Sequence, residues 1–195
     1  IKMVADPFWR DDLEHTALLI RTAREHVGPD VQLMVDAATA WSTADEGLPL
    51  MPLFKEFGFA WVEAPLPIDD LDGHARFQGL GVPIGGGDLG LTTRFEYELM
   101  FERGKVDIAQ PDVTMVGGLT ELKRVAQLAK SRGKRVVTHG YKSNITIAAN
   151  LAFLAQHDDE EILEYSTSES PLRWELTNEH FPIEADGRVK VPTAP

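Results

Sequence analysis

The 195 residues contain no cysteine, which removes disulfides and thiolate chemistry from consideration. They contain no apolar run near the ~20 residues that a membrane-spanning helix requires. Positive charge is scarce: 19 Lys and Arg stand against 31 Asp and Glu, a net charge of −12. No basic stripe is present that could neutralise a row of phosphates, so nucleic acid is excluded as a partner. No low-complexity segment and no interdomain linker interrupts the chain. What remains is a 43% hydrophobic sequence, enough for one globular domain with a sizeable core.

Against that background, six ionisable residues end six successive short apolar runs. They are Asp36 in LMVDAATAW, Glu63 in AWVEAPLP, Asp88 in PIGGGDLG, Asp112 in DIAQPDV, His139 in VVTHGYKSN and Glu164 in ILEYSTS, about 24 to 27 residues apart. That period is close to one βα unit of a (β/α)8 TIM-type barrel, whose roughly 250 residues divide into eight. In that fold the strand ends converge on one catalytic mouth. The expected fold class is therefore α/β, a (β/α)8 barrel. The chain is short for a complete one and opens inside an apparent strand, IKM. It is read as a fragment lacking the first strand.

Short β-like runs alternate with longer helix-like ones, the pattern of a parallel sheet with crossover helices. A helix is expected over 11–27 with Leu13, Ala17, Ile20, Ala23 and Val27 on one stripe, stopped by Gly28-Pro29. Strands are expected at 32–35, 60–62, 82–84, 106–109, 135–138 and 161–165, which with IKM makes seven. Pro49 and Pro52 fall inside a helix expected to open near Ser42-Thr43, where a proline removes a backbone donor. A helix is also expected near 71–78. Thr93 with Glu96 reads as a capping box. Gly117-Gly118 opens a helix ended by Gly133, and an apolar helix follows at 145–156, with Asn144 as a candidate cap. The tail, Phe181 to Val191 around Asp186-Gly187, reads as a β-hairpin. Residues 1–175 are thus assigned to the barrel and 176–195 to a C-terminal segment.

Asp36, Glu63 and Asp88 end three consecutive strands, and neighbouring strands lie ~4.8 Å apart. Three such carboxylates can surround one small cation, and hard oxygen donors without sulfur point to Mg²⁺. The alternative is that each caps a helix or pairs with a surface Lys or Arg. His139 ends the strand beside that of Asp112. A carboxylate on one ring nitrogen fixes the tautomer and leaves the other nitrogen for proton transfer.

The order WVEAPLP, GGGD, DIAQPDVTMVGGLTE and VVTHG resembles the enolase superfamily, specifically its mandelate racemase-like subgroup, over nearly the whole chain. The resemblance implies Mg²⁺-assisted removal of the proton next to a substrate carboxylate. It implies that Asp112 and His139 are the subgroup's dyad. Gln110-Pro111-Asp112 stands where the muconate lactonizing subgroup has a lysine. It implies that Lys2, in what resembles the end of a Lys-x-Lys signature, is the opposite base, and that Glu164 is the acid of the last strand. It also implies a capping domain toward which residues 176–195 would pack. Two departures are visible: Ala38 replaces the amide of an Asp-x-Asn pattern, and Asp88 is one methylene shorter than the usual glutamate.

The expected activity is that of a Mg²⁺-dependent lyase dehydrating a sugar acid to a 2-keto-3-deoxy acid. A racemase or epimerase using the same half-reaction is the alternative, and a catalytically silent barrel serving as a binding or scaffold protein is the alternative of another class. Trp41, Tyr141 and Lys142 are candidate substrate contacts. The implied partner is a small carboxylate, with no nucleic acid and no membrane, in a cytoplasmic homo-oligomer.

Overall fold

The computed structural model describes residues 1–5, 8–140, 143–156 and 162–192. Its described residues form a six-stranded sheet in the order β1-β2-β3-β4-β5-β6. The strands are β1 (Lys2–Val4), β2 (Leu33–Asp36), β3 (Phe59–Glu63), β4 (Ile84–Gly86), β5 (Ile108–Ala109) and β6 (Arg135–Val136). The pairs β1–β2, β2–β3 and β3–β4 are parallel. Spatial order that follows chain order, with helices between the strands, is the ladder of a (β/α)8 barrel in incomplete form. No helix among the described residues is long and apolar enough to cross a membrane.

The chain divides into two compact units, Ile1–Gly87 with Tyr97–Ile108, and Asp88–Glu96 with Ala109–Pro195. In the first, α1 (Phe8–Asp11) leads into α2 (Leu13–Val27), whose N-cap is Asp12, accepting from the His15 amide at 2.9 Å. The expected α2 stripe is met at Ile20, with Ala17, Ala23 and Val27 half-buried, and fails at Leu13. Thr16 and Ile20 are its buried residues, while Leu13 lies 41% exposed. The Thr16 hydroxyl is satisfied internally by the Trp9 carbonyl at 3.3 Å, which is how a polar residue takes the core side. Trp9, Phe54 and Phe59 form the aromatic centre of this unit, with ring centroids 6.2 and 5.1 Å apart.

The two prolines break the next helical region into α3 (Ala44–Gly47), a 3₁₀ turn (Leu48–Leu50) and α4 (Met51–Glu56). Each proline sits at the first or second position of its piece, where a missing N–H costs nothing. The helix α5 (Leu71–Ala75) is shorter than expected. Strand β4 is displaced toward the glycines, where Gly85 stands opposite Glu63 of β3 and its carbonyl accepts the Ala64 amide at 3.1 Å.

The second unit holds only the first turn of α6 (Arg94–Glu102), which begins after the Thr92 and Thr93 amides, both donated to Glu96 Oε2 at 2.8 Å. Most of that helix belongs to the first unit. There follow α7 (Leu119–Ser131), α8 (Asn144–Leu154) and α9 (Pro171–Trp174). The cap of α8 is Ser143, whose Oγ accepts from the Thr146 amide, and not Asn144. The expected strand over 161–165 is absent from its described residues, 162–165; Glu161 lies outside the described set. The segment is held instead by side chains, among them Tyr165, whose hydroxyl donates to the Phe181 carbonyl at 2.6 Å. Phe181 packs with Ile147 and Leu151 of α8. The tail hairpin is reduced to one antiparallel bridge, Ile183 to Val189.

Candidate active site

In the first unit the β2–β3 register sets Asp36 opposite Glu63. Lys2 is the first residue of β1 rather than its last, and its long stem carries Nζ to 2.7 Å from Glu63 Oε1 and 3.7 Å from Asp36 Oδ2. Glu63 is 1% exposed, and its second oxygen accepts from Trp61 Nε1 at 3.2 Å. Two adjacent carboxylates in a partly dry setting demand a positive charge, and here the Lys2 ammonium supplies it. After each strand end the backbone turns sharply: Ala38, Thr39 and Ala64 have φ of 47°, 57° and 43°. Non-glycine residues in this left-handed region carry strain that persists only when the surroundings impose it. Asp36 Oδ1 helps impose it by accepting the Ala38 amide at 2.9 Å.

In the second unit Asp112 and His139 stand on bridge-paired positions. His139 Nδ1 lies 2.9 Å from Asp112 Oδ2, and both side chains are buried. The other carboxylate oxygen takes two donors from Thr114, its amide at 2.7 Å and its hydroxyl at 2.6 Å. On the far side of the ring, His139 Nε2 faces Glu164 Oε2 at 3.9 Å. That same Glu164 oxygen accepts the Gly140 amide at 2.8 Å. Asn150 of α8 donates to the His139 carbonyl at 3.1 Å. Gly140 is required by this packing, since a Cβ there would lie 2.5 Å from Asn150 Nδ2 and 2.6 Å from Thr146 Cγ2.

The electrostatics follow from these contacts. Burial alone would raise the Asp112 carboxyl, but the hydrogen bonds from His139 and Thr114 outweigh it and hold it below the usual carboxylate range. Burial alone would depress the His139 imidazole. The Asp112 bond and the charges of Glu164, Asp88 and Asp112 overcome that and raise it above its ordinary value. Nδ1 is thus committed to Asp112, and Nε2 is the nitrogen placed for proton transfer.

The structure therefore groups Lys2, Asp36 and Glu63 in one unit, and Asp112, His139 and Glu164 in the other. Asp88, 7% exposed, belongs to the second unit. Among the described residues no three acidic or imidazole side chains gather closely enough to hold a metal ion. The donor chemistry of Asp36 and Glu63, hard oxygens already facing a cation, nonetheless fits Mg²⁺. Trp41 is fully buried, packed against Phe77 at 6.3 Å and closely over Gly47, so the role its geometry supports is packing. Tyr141 and Lys142 lie outside the described residues. Thr114, Asn150 and Trp61 were not anticipated. The signals were there for the first two: an Asp-x-Thr turn pattern, and a lone amide within an apolar helix.

These features define an incomplete α/β barrel chain in which an imidazole and a carboxylate on bridge-paired positions are hydrogen-bonded. The chain belongs to the Enolase C-terminal domain-like family, whose model matches residues 1–195, and within the enolase superfamily to the mandelate racemase-like subgroup. It is similar to D-galactarolactone cycloisomerase of Agrobacterium fabrum, 33% identical over 94% of this chain and 50% of the relative. It is similar also to arabinonate dehydratase of Saccharolobus solfataricus, 32% identical over 90% of this chain and 46% of the relative. Among solved structures, the 3,6-anhydro-D-galactonate cycloisomerase from Zobellia galactanivorans superposes with a TM-score of 0.89 at 31% identity, covering 100% of this chain and 53% of that one. The chain spans about half the length of the curated relatives it matches. Magnesium is typical of the family.

Proposed function

We propose that the protein is a Mg²⁺-dependent lyase that removes the proton next to a carboxylate and dehydrates a sugar acid to a 2-keto-3-deoxy acid. The observation that carries this reading is the His139 imidazole, fixed through Nδ1 by Asp112, with Nε2 turned to Glu164. By the family resemblance Asp36, Glu63 and Asp88 are the residues that would hold the cation; of these, Asp36 and Glu63 stand opposite each other on β2 and β3. When bound, Mg²⁺ offsets the negative charge that builds on the substrate carboxylate as the α-proton leaves.

His139 takes that proton; by the family resemblance Lys2 would take it where the α-carbon has the opposite configuration. Glu164, in its protonated form, donates a hydrogen bond to the developing enediolate. His139, once protonated, passes its proton to the β-hydroxyl; the C–O bond breaks, water leaves, and the enol that remains tautomerises to the keto acid. The same proton abstraction without loss of water would serve a racemase, epimerase or cycloisomerase. Similarity to two cycloisomerases supports this second reading.

The test is incubation of the full-length protein with Mg²⁺ and a library of sugar acids in D₂O, followed by proton NMR. A 2-keto-3-deoxy product that disappears in a His139→Asn variant is the expected result. Deuterium entering the α-position without loss of water would favour the second reading. Silence across the library would reject both.

A further inference from the structure

Arg173 is fully buried in the second unit, and no carboxylate lies against it among the described residues. A buried charge without a counter-ion is costly, so its surroundings must hold it by other means. Nε donates to the Ser166 carbonyl at 3.2 Å, and Nη1 donates to Asn144 Oδ1. The guanidinium lies 4.8 Å over the Tyr165 ring and 4.3 Å over the Trp174 ring. Its anchor points are informative. Tyr165 and Ser166 directly follow Glu164 in a segment with no strand ladder among its described residues. Asn144 opens α8, the helix whose Asn150 holds the His139 carbonyl. Asn144 is itself tied down, donating to Thr177 Oγ1 at 3.0 Å and to the Glu179 carbonyl at 2.9 Å.

We propose that Arg173 is a positioning residue: its planar fork spans from the backbone after Glu164 to the start of α8, and thereby sets Glu164 against the Gly140 amide and the His139 imidazole. A strand would ordinarily do this through its ladder; here a buried guanidinium does it. The fork is specific to arginine, since lysine brings a single point of contact and no stacking plane. That Glu164 placed in this way serves catalysis rests on the function proposed above. The positioning itself is independent of it.

The experiment uses the ¹⁵N-labelled full-length protein and follows the Gly140 amide, whose proton is donated to Glu164 Oε2. Arg173→Lys, which retains the charge and much of the volume, and Asn144→Ser are compared with Glu164→Gln. Expected is a shifted Gly140 amide resonance in all three, with hydrogen exchange there about tenfold faster. Arg173→Lys placed on Glu164→Gln should add no further change at Gly140. Turnover should show reduced kcat with KM within about twofold, the mark of a displaced reacting group. A lowered melting temperature with an unmoved Gly140 amide, or effects at Gly140 that add fully, would overturn the proposal. Absence of any turnover in the unaltered protein would remove the catalytic reading and leave the Gly140 result to decide the role of Arg173.

Discussion

Gly87→Ala should be among the most damaging single-methyl additions to this chain, and its cost can be built from two separate contributions. Gly87 has φ of +86°, in the region L-residues avoid, and holding a non-glycine residue there costs about 1–3 kcal/mol. A Cβ on Gly87 would also fall 2.4 Å from Tyr97 Cε1 and 2.9 Å from both Cζ and Oη. The ring has no easy retreat: Tyr97 is fully buried, and its hydroxyl donates to the Gly87 carbonyl at 2.5 Å. Overpacking of this kind adds about 1–3 kcal/mol. The sum is about 2–6 kcal/mol, or a fall in Tm of about 5–20 °C for a chain of this size. Thermal unfolding followed by circular dichroism would measure it. Repeating the substitution in a Tyr97→Leu background separates the two contributions, because only the backbone part survives when the ring is gone. A coupling of about 1–3 kcal/mol between the sites is expected. Full additivity would refute the overlap argument, and a change of under about 1 °C would refute both.

Further outcomes rest on other contacts. Arg24 donates to four backbone carbonyls, those of Gly28, Val31, Phe57 and Gly58; Arg24→Ala should cost about 2–3 kcal/mol in urea unfolding, since some of these carbonyls regain water. Ser143→Ala removes the cap of α8 and should cost about 1 kcal/mol in the same assay, with Ser143→Asp restoring most of it. Ala38→Asn should raise Tm by about 1–3 °C, because asparagine accepts the φ of 47° more readily than alanine does; a lowered Tm would count against strain at that turn. His139 holds its proton more tightly in the fold than in the unfolded chain. Its contribution to stability should therefore be complete below about pH 6.5 and be lost as pH rises through the elevated value. The stability difference between the wild-type protein and His139→Gln should shrink over that range. A difference that grew with pH would reverse the sign of the argument.

Much of this organisation was legible in the sequence because it rests on period and punctuation. Asp36 and Glu63 fall opposite each other, and Asp112 pairs with His139, as their shared phase after apolar runs implied. Pro49 and Pro52 divide a helix where the missing N–H predicts. What escaped the reading depends on partners distant in the chain. Asn144 and Ser143 are comparable as caps from local preference; Asn144 is taken out of contention by Arg173, 29 residues on. Thr16 is buried on α2 because the Trp9 carbonyl satisfies its hydroxyl, which no hydrophobic pattern records. The run before Glu164 has the composition of a strand, yet its described residues form none; the chain just after Glu164 is tied by Tyr165 to the Phe181 carbonyl and by Arg173 to the Ser166 carbonyl. Trp41 was read as a candidate substrate contact; it is fully buried, and a bare Gly47 admits its indole face.

The two bonds from Thr114 to a single oxygen of Asp112 have a consequence for handedness. With one oxygen clamped by an amide and a hydroxyl, the carboxylate plane cannot swivel. The imidazole bonded to the other oxygen inherits that fixed plane. A ring that cannot turn over presents Nε2 along one line, so a proton it takes or returns travels on one face of whatever molecule lies before it. A preference for one face would then originate in a threonine that acts through Asp112. Under the dehydration proposed above, loosening it, as in Thr114→Val, would appear first as weaker discrimination between sugar acids epimeric at the α-carbon rather than as a slower reaction.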